Sequence, residues 1–154
     1  MNAEAIRRWD TSTVSQRDAF SYWQDAVISA YLPLETKPQS TRSFSGCIEM
    51  ASAAHLSLSR VRSRASTVHR TRVGIERAVN DSFYVNLMIS GTATVTQAAF
   101  SERLRTGHIM IVDTNEPFLL DFREGVDIIC VTLEGAWLRR SLSRLGTSTL
   151  ALNT

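Results

Sequence analysis

The chain predicts a mainly β protein: a small antiparallel barrel with one helix before it and one after. Three observations carry that expectation. Between Arg42 and Leu133 the apolar pattern has a period of two, in short segments rich in β-branched and aromatic residues. Turn residues separate those segments, above all Gly91, Gly107 and Pro117. The glycines supply the positive φ of tight reversals, and Pro117 restarts the chain as extended structure. The flanking stretches Ser15 to Tyr31 and Gly135 to Leu145 switch to helical spacing.

In the first helix, Ser15 is placed to cap, with Asp18 in the capping-box position and favourable to the helix dipole. Phe20, Trp23, Val27 and Ala30-Tyr31 form one apolar stripe, which reads as a face packed on the barrel, and Pro33 ends the helix. Leu34 to Thr41, with Pro38, reads as a connection. Strands are expected at Phe44–Ala51, Leu56–Arg64, Thr67–Arg72, Phe83–Ser90, Thr92–Gln97, Arg103–Leu104, His108–Asp113, Phe118–Phe122 and Val126–Leu133. Val73 to Asp81 fits either a short helix or a mobile loop over one barrel mouth. In the last helix Leu138, Leu142 and Leu145 share one side, and Gly146 suits its C-terminal cap.

A length of 154 residues suits one domain with one sizeable core. The hydrophobic fraction of 44% and charged fraction of 21% are ordinary for a globular protein. A net charge of +2 is too mild to argue for a nucleic-acid platform. Met1 to Arg8 lacks the apolar core of a secretory signal, and no apolar run approaches the ~20 residues of a membrane helix. Cys47 and Cys130 have neither a C-x-x-C pairing nor metal-ligand spacing, and read as reduced residues packed like small apolar ones. A cytoplasmic location, with no membrane partner, is the expectation.

The barrel segment runs Leu87-Met88-Ile89-Ser90-Gly91, Thr94 to Gln97, Leu104 to Gly107, Asp113 and Pro117-Phe118. Around it stand Trp9-Asp10-Thr11, Arg17 to Val27, Phe44-Ser45-Gly46, Leu58 to Val61 and Arg70-Thr71-Arg72. In this order, from Trp9 to Leu145, the motifs resemble the N-terminal cupin-like sensing domain of AraC-type transcription regulators. The resemblance implies a double-stranded β-helix (jelly-roll barrel) with an N-terminal and a C-terminal helix, which binds a small-molecule effector and forms a dimer. It also implies an attached helix-turn-helix DNA-binding domain. No such domain is found up to Asn153-Thr154, so the chain is expected to be a fragment or isolated domain that meets DNA only through a part absent here. Two other readings stay open: a stand-alone non-metal cupin-like enzyme or binding protein, and a barrel that serves dimerisation alone.

Metal-binding members of the cupin group hold their ion with histidines and a glutamate. By the resemblance, the histidine positions fall on Gln97, Ala99 and Phe118, and Glu102 lies near the glutamate position but out of register. Neither Ala99 nor Phe118 can ligate a metal. No metal, no cofactor and no enzymatic activity are therefore expected. His55, His69 and His108 have no second histidine at ligand spacing and no trustworthy triad partners, and no Gly-rich phosphate loop occurs.

A barrel of this size can enclose a cavity lined by inward strand positions. Tyr84, Asn86 and Met88 alternate along a strand apolar on both faces, and Asn86 is the polar exception. Its amide either bonds a neighbouring strand or loop, or meets a ligand. Leu56, Leu58, Arg60, Arg62 and Arg64 share one parity. Either a bulge near Ser59 turns the arginines to solvent, or Arg60 enters the barrel as a bidentate anchor for a carboxylate effector. His69 and Arg70 complete the ligand candidates. Leu138, Leu142 and Leu145 are the candidates for a weak homodimer.

Overall fold

In the computed structural model, which describes residues 5–144, the period-two segments pair into two antiparallel sheets that face each other across an apolar core. The larger sheet has the order β1 (Arg7–Asp10), β3 (Gly46–Ala53), β4 (Leu56–Ser63), β11 (Val126–Glu134), β6 (Ser82–Ser90) and β9 (Ile109–Asp113). The smaller has the order β2 (Glu35–Pro38), β5 (Ser66–Arg70), β10 (Phe118–Phe122), β7 (Ala93–Gln97) and β8 (Phe100–Leu104). Among these strands the chain stays in one sheet only from β3 to β4 and from β7 to β8 and crosses to the other sheet at every other step, which is the jelly-roll arrangement expected. Gly91 and Gly107 take φ of 90° and 85°, in the turns assigned to them.

Three helices accompany the sheets: α1 (Ala19–Ala30), α2 (Arg72–Arg77) and α3 (Gly135–Arg144). The first begins later than expected. Ser15 Oγ accepts from the Asp18 amide at 3.3 Å and donates to the Asp18 carboxylate at 2.6 Å, but this pair closes a turn ahead of α1. The stripe on α1 packs as expected, with Trp23 and Val27 buried and Phe44 beneath, its ring 5.0 Å from that of Phe20 and 5.7 Å from that of Trp23. Trp23 lies so close to β3 that a Cβ on Gly46 would come within 2.5 Å of the indole.

Other boundaries move. Leu34 to Thr41 is not wholly a connection, because Glu35–Pro38 pairs with β5 as an edge strand, where a proline is tolerated. Arg7–Asp10 is a second strand without an apolar signal, at the opposite sheet's edge. The β8 strand extends two residues each way of Glu102 rather than covering Arg103–Leu104 alone. The strand expected through Arg72 ends at Arg70, and the open segment from Val73 to Asp81 begins inside α2, which is capped by Thr71, whose Oγ1 accepts from the Gly74 amide at 3.1 Å. The α3 helix forms as expected through Arg144, while Leu145 and Gly146 lie outside the described residues.

Candidate functional site

Ser82, Tyr84, Asn86 and Met88 alternate inward along β6, so one strand delivers a tyrosine and an amide to the interior. Between this face, the facing strands of the smaller sheet and the inner side of α1 lies a cavity of about 60 Å³. Trp23, Val27 and Tyr31 line it from one side, Tyr84 and Asn86 from another, and Phe118 and Leu120 from across the barrel. The rings of Tyr31 and Tyr84 meet edge to face at 5.6 Å, and Tyr84 meets Phe118 at 6.3 Å. Met88, 1% exposed, belongs to the packed core rather than to the cavity wall.

The polar chemistry of this interior is neutral. Tyr31 Oη and Ser59 Oγ lie 2.5 Å apart. Burial raises the pKa of the Tyr31 and Tyr84 hydroxyls above the ordinary phenol value and pushes the Cys130 thiol up to about 12. Cys47 and Cys130 are both free and buried, as the sequence suggested. Two buried N–H groups on cavity-lining residues have no hydrogen-bond partner: Trp23 Nε1 and Asn86 Nδ2. A third unpartnered atom, Thr36 Oγ1, sits on β2 away from the cavity lining.

Arg60, His69 and Arg70 do not join Tyr84 and Asn86 at the cavity. The β4 strand runs unbroken against both β3 and β11, so there is no bulge at Ser59. Ser59 and Val61 face in, and the whole opposite parity, leucines included, faces out. Arg60 on that outer face makes a bidentate pair with Asp127, Nε to Oδ1 at 3.0 Å and Nη2 to Oδ2 at 2.7 Å. The carboxylate it grips is the protein's own. His69 is exposed on the outer side of β5, beside a shallow groove with Arg72 and Gln97.

Arg70 is fully buried, and its guanidinium is spent on backbone carbonyls. Nε donates to Thr114 O at 3.2 Å, Nη1 to Pro33 O at 3.2 Å and Gly74 O at 3.0 Å, and Nη2 to Ala78 O at 2.7 Å. Gly74 allows this approach, since a Cβ there would come within 2.8 Å of Pro33 O. Burial lowers the guanidinium pKa, and the four carbonyls replace water around the charge. Thr114, also fully buried, ties the same region to the start of β6, its Oγ1 lying 2.8 Å from Asn80 O and accepting from the Ser82 amide at 3.2 Å.

Gln97 points away from any ligand role: its Nε2 donates to Asp113 O at 2.8 Å and its Oε1 accepts from the Asp113 amide at 3.1 Å. Phe118 is core. Among the described residues no three His, Cys, Asp or Glu side chains gather as a metal-binding set. A larger surface cleft of about 670 Å³ passes Asp10, Arg62 and Asp127. Those three charges already pair, with Arg8, Glu49 and Arg60 respectively, and Arg64 beside them is exposed to solvent, whereas the unpartnered groups at the cavity are buried. Trp23, Val27 and Tyr31 line the cavity although the sequence reading took their stripe for packing alone.

The chain matches the AraC-binding-like domain family over residues 23–153. It is 30% identical over 114 residues to an uncharacterized protein in the nit 5′ region of Bacillus sp. (strain OxB-1), a match covering 74% of this chain and 44% of that protein. Its backbone superposes on the crystal structure of the AraC-like transcriptional activator CuxR with a TM-score of 0.79 at 12% identity, over 92% of this chain and 52% of that one. The chain thus spans about half the length of the proteins it resembles.

Proposed function

Because the chain belongs to the AraC-binding-like domain family, we propose that it is the sensing domain of an AraC-type transcription regulator, taking a small-molecule effector into the cavity beneath α1. The observation that carries this reading is the pairing of that cavity with buried N–H groups that the protein itself leaves unbonded. Such groups cost roughly 1–3 kcal/mol each while unpaired, and a ligand recovers that cost. The domain acts by binding rather than catalysis, and reaches DNA only through a helix-turn-helix domain joined to it.

The cavity exceeds the ~10–15 Å³ that one water needs but falls well below the ~300–1,000 Å³ of drug-sized sites. An effector larger than a few atoms must therefore move a wall. The sheets are locked by their ladders, whereas α1 rests on side-chain packing and a sparse polar contact, Gln24 Nε2 to Thr36 O at 3.4 Å, with Gln16 Nε2 to Phe44 O at 3.0 Å in the segment just ahead of it. It is the wall that yields at least cost. A ligand signals only if it binds one arrangement of α1 better than the other.

A thermal-shift screen of small organic acids, amides, amines and sugars tests the reading. A ligand at 100 times its dissociation constant adds about 2.7 kcal/mol, a rise of several degrees for a domain of this size. A hit is expected, and Arg60→Ala is expected to leave it unchanged, because Arg60 is outside the cavity. A comprehensive screen without a hit argues for a barrel that serves assembly alone.

A further inference from the structure

The unpaired groups at the cavity also restrict what fills it. Trp23 and Asn86 are 2% and 3% exposed, one on α1 and the other on β6, and each presents a buried N–H without an acceptor. An indole N–H only donates, so whatever satisfies Trp23 is an acceptor. The unpartnered atom of Asn86 is its Nδ2, also a donor, so both groups call for an acceptor, and an amide oxygen accepts more strongly than that of a ketone or ester.

Charge is excluded by the same inventory. No Asp, Glu, Lys, Arg or His lines the cavity. The buried guanidinium of Arg70 is committed to four carbonyls, and that of Arg60 to Asp127 on the outer face. A carboxylate or ammonium entering here would lose its water without gaining a counter-charge. A neutral acceptor loses less and gains N–H donors already desolvated.

We infer that the cavity takes an uncharged ligand head, an amide before a ketone or ester, whose acceptor atoms meet Trp23 Nε1 and Asn86 Nδ2. This replaces the carboxylate effector that the arginines in the sequence suggested, and it rests on the sensing role proposed above. At about 60 Å³ the cavity holds the head alone, and a longer ligand must displace α1 to follow it.

The test uses short amides, methyl ketones, carboxylates and amines matched in hydrocarbon, titrated into the purified chain. Two readouts are followed: the melting temperature, and the Trp23 indole N–H resonance, assigned with Trp23→Phe. Amides, and more weakly ketones, are expected to raise the melting temperature and shift that resonance, while carboxylates and amines do neither at equal concentration. Trp23→Phe and Asn86→Leu are each expected to weaken amide binding about tenfold, with no fall in the melting temperature of the free protein for Asn86→Leu. Should a variant fail to fold, the wild-type indole shift decides. Preferential binding of carboxylates or amines, or amide binding that leaves the Trp23 resonance in place, overturns the inference but not the sensing role. If no series binds and a crystal structure shows only water in the cavity, both fall.

Discussion

Asp10 ends β1 and starts the following turn, accepting from the Ser12 amide at 2.9 Å and from the Arg8 guanidinium at 2.7 Å. Arg8, then the Ser12 amide, holds its carboxyl well below the usual carboxylate range. Asp127 is lowered in the same direction by Arg60. A carboxyl whose folded pKa is depressed adds stability above its unfolded pKa of about 3.9, and that stability is lost as pH falls through the folded value. Asp10→Asn is therefore expected to be less stable than wild type at neutral pH, with the gap closing in acid. Denaturant midpoints measured from neutral pH down to about pH 2 check this, and parallel profiles for the two proteins would sink it. Individual residues were unevenly legible. Asn86 stood out because an amide interrupts an apolar strand. Arg60 misled because Leu56 and Leu58 share its parity and read as core, yet they are 42% and 49% exposed. Trp23 gave no signal, since an indole in a helical stripe looks like packing and its unpaired N–H exists only in three dimensions.

At the scale of elements, α2 is the part most dependent on one side chain. It has six residues, too few to be stable alone, and Arg70 fastens the Gly74 and Ala78 carbonyls of α2 and its C-terminal cap, while also reaching Pro33 and Thr114. Arg70→Met should cost about 3 kcal/mol or more, because hydrogen bonds to a charged group are worth ~1.5–3 kcal/mol and the stranded carbonyls stay buried. Arg70→Lys should recover little, since a point charge cannot serve a fork of carbonyls. Urea midpoints give the magnitude, and faster amide exchange at residues 74–78 would place the loss at α2. A change under 1 kcal/mol would mean that water replaces the clamp. The sequence reading ran a strand through Thr71 and so missed the cap, and the clamp was not legible either, because its partners lie as far as 44 residues away. Strands β1 and β2 escaped notice for a different reason. Each is a four-residue edge with mostly polar or charged side chains, and only pairing to a neighbour marks it as a strand.

At the scale of the whole molecule, the question is whether the domain meets a second copy. The root of α3 is fixed to its own barrel: the Gly135 amide donates to Asp81 O at 2.8 Å, Arg139 pairs with the Asp81 carboxylate, and Trp137 stacks on His55 at 6.3 Å. Along the same helix Leu138 and Leu142 are half-buried, and Leu145, the third member of the expected stripe, lies outside the described residues. Pairing of two copies through this stripe would be isologous, each leucine meeting its counterpart's surroundings across a two-fold axis. We propose that this short stripe pairs weakly, so the average mass is expected to rise with concentration in light scattering. Leu142→Glu places a charge in that contact and should hold the protein at one chain. Leu58→Glu, on the exposed outer face of β4, serves as the control and should behave as wild type. If Leu58→Glu abolishes association while Leu142→Glu does not, the sheet face makes the dimer and the helix reading is wrong. A wild-type protein that stays monomeric at every concentration removes self-association through this helix altogether.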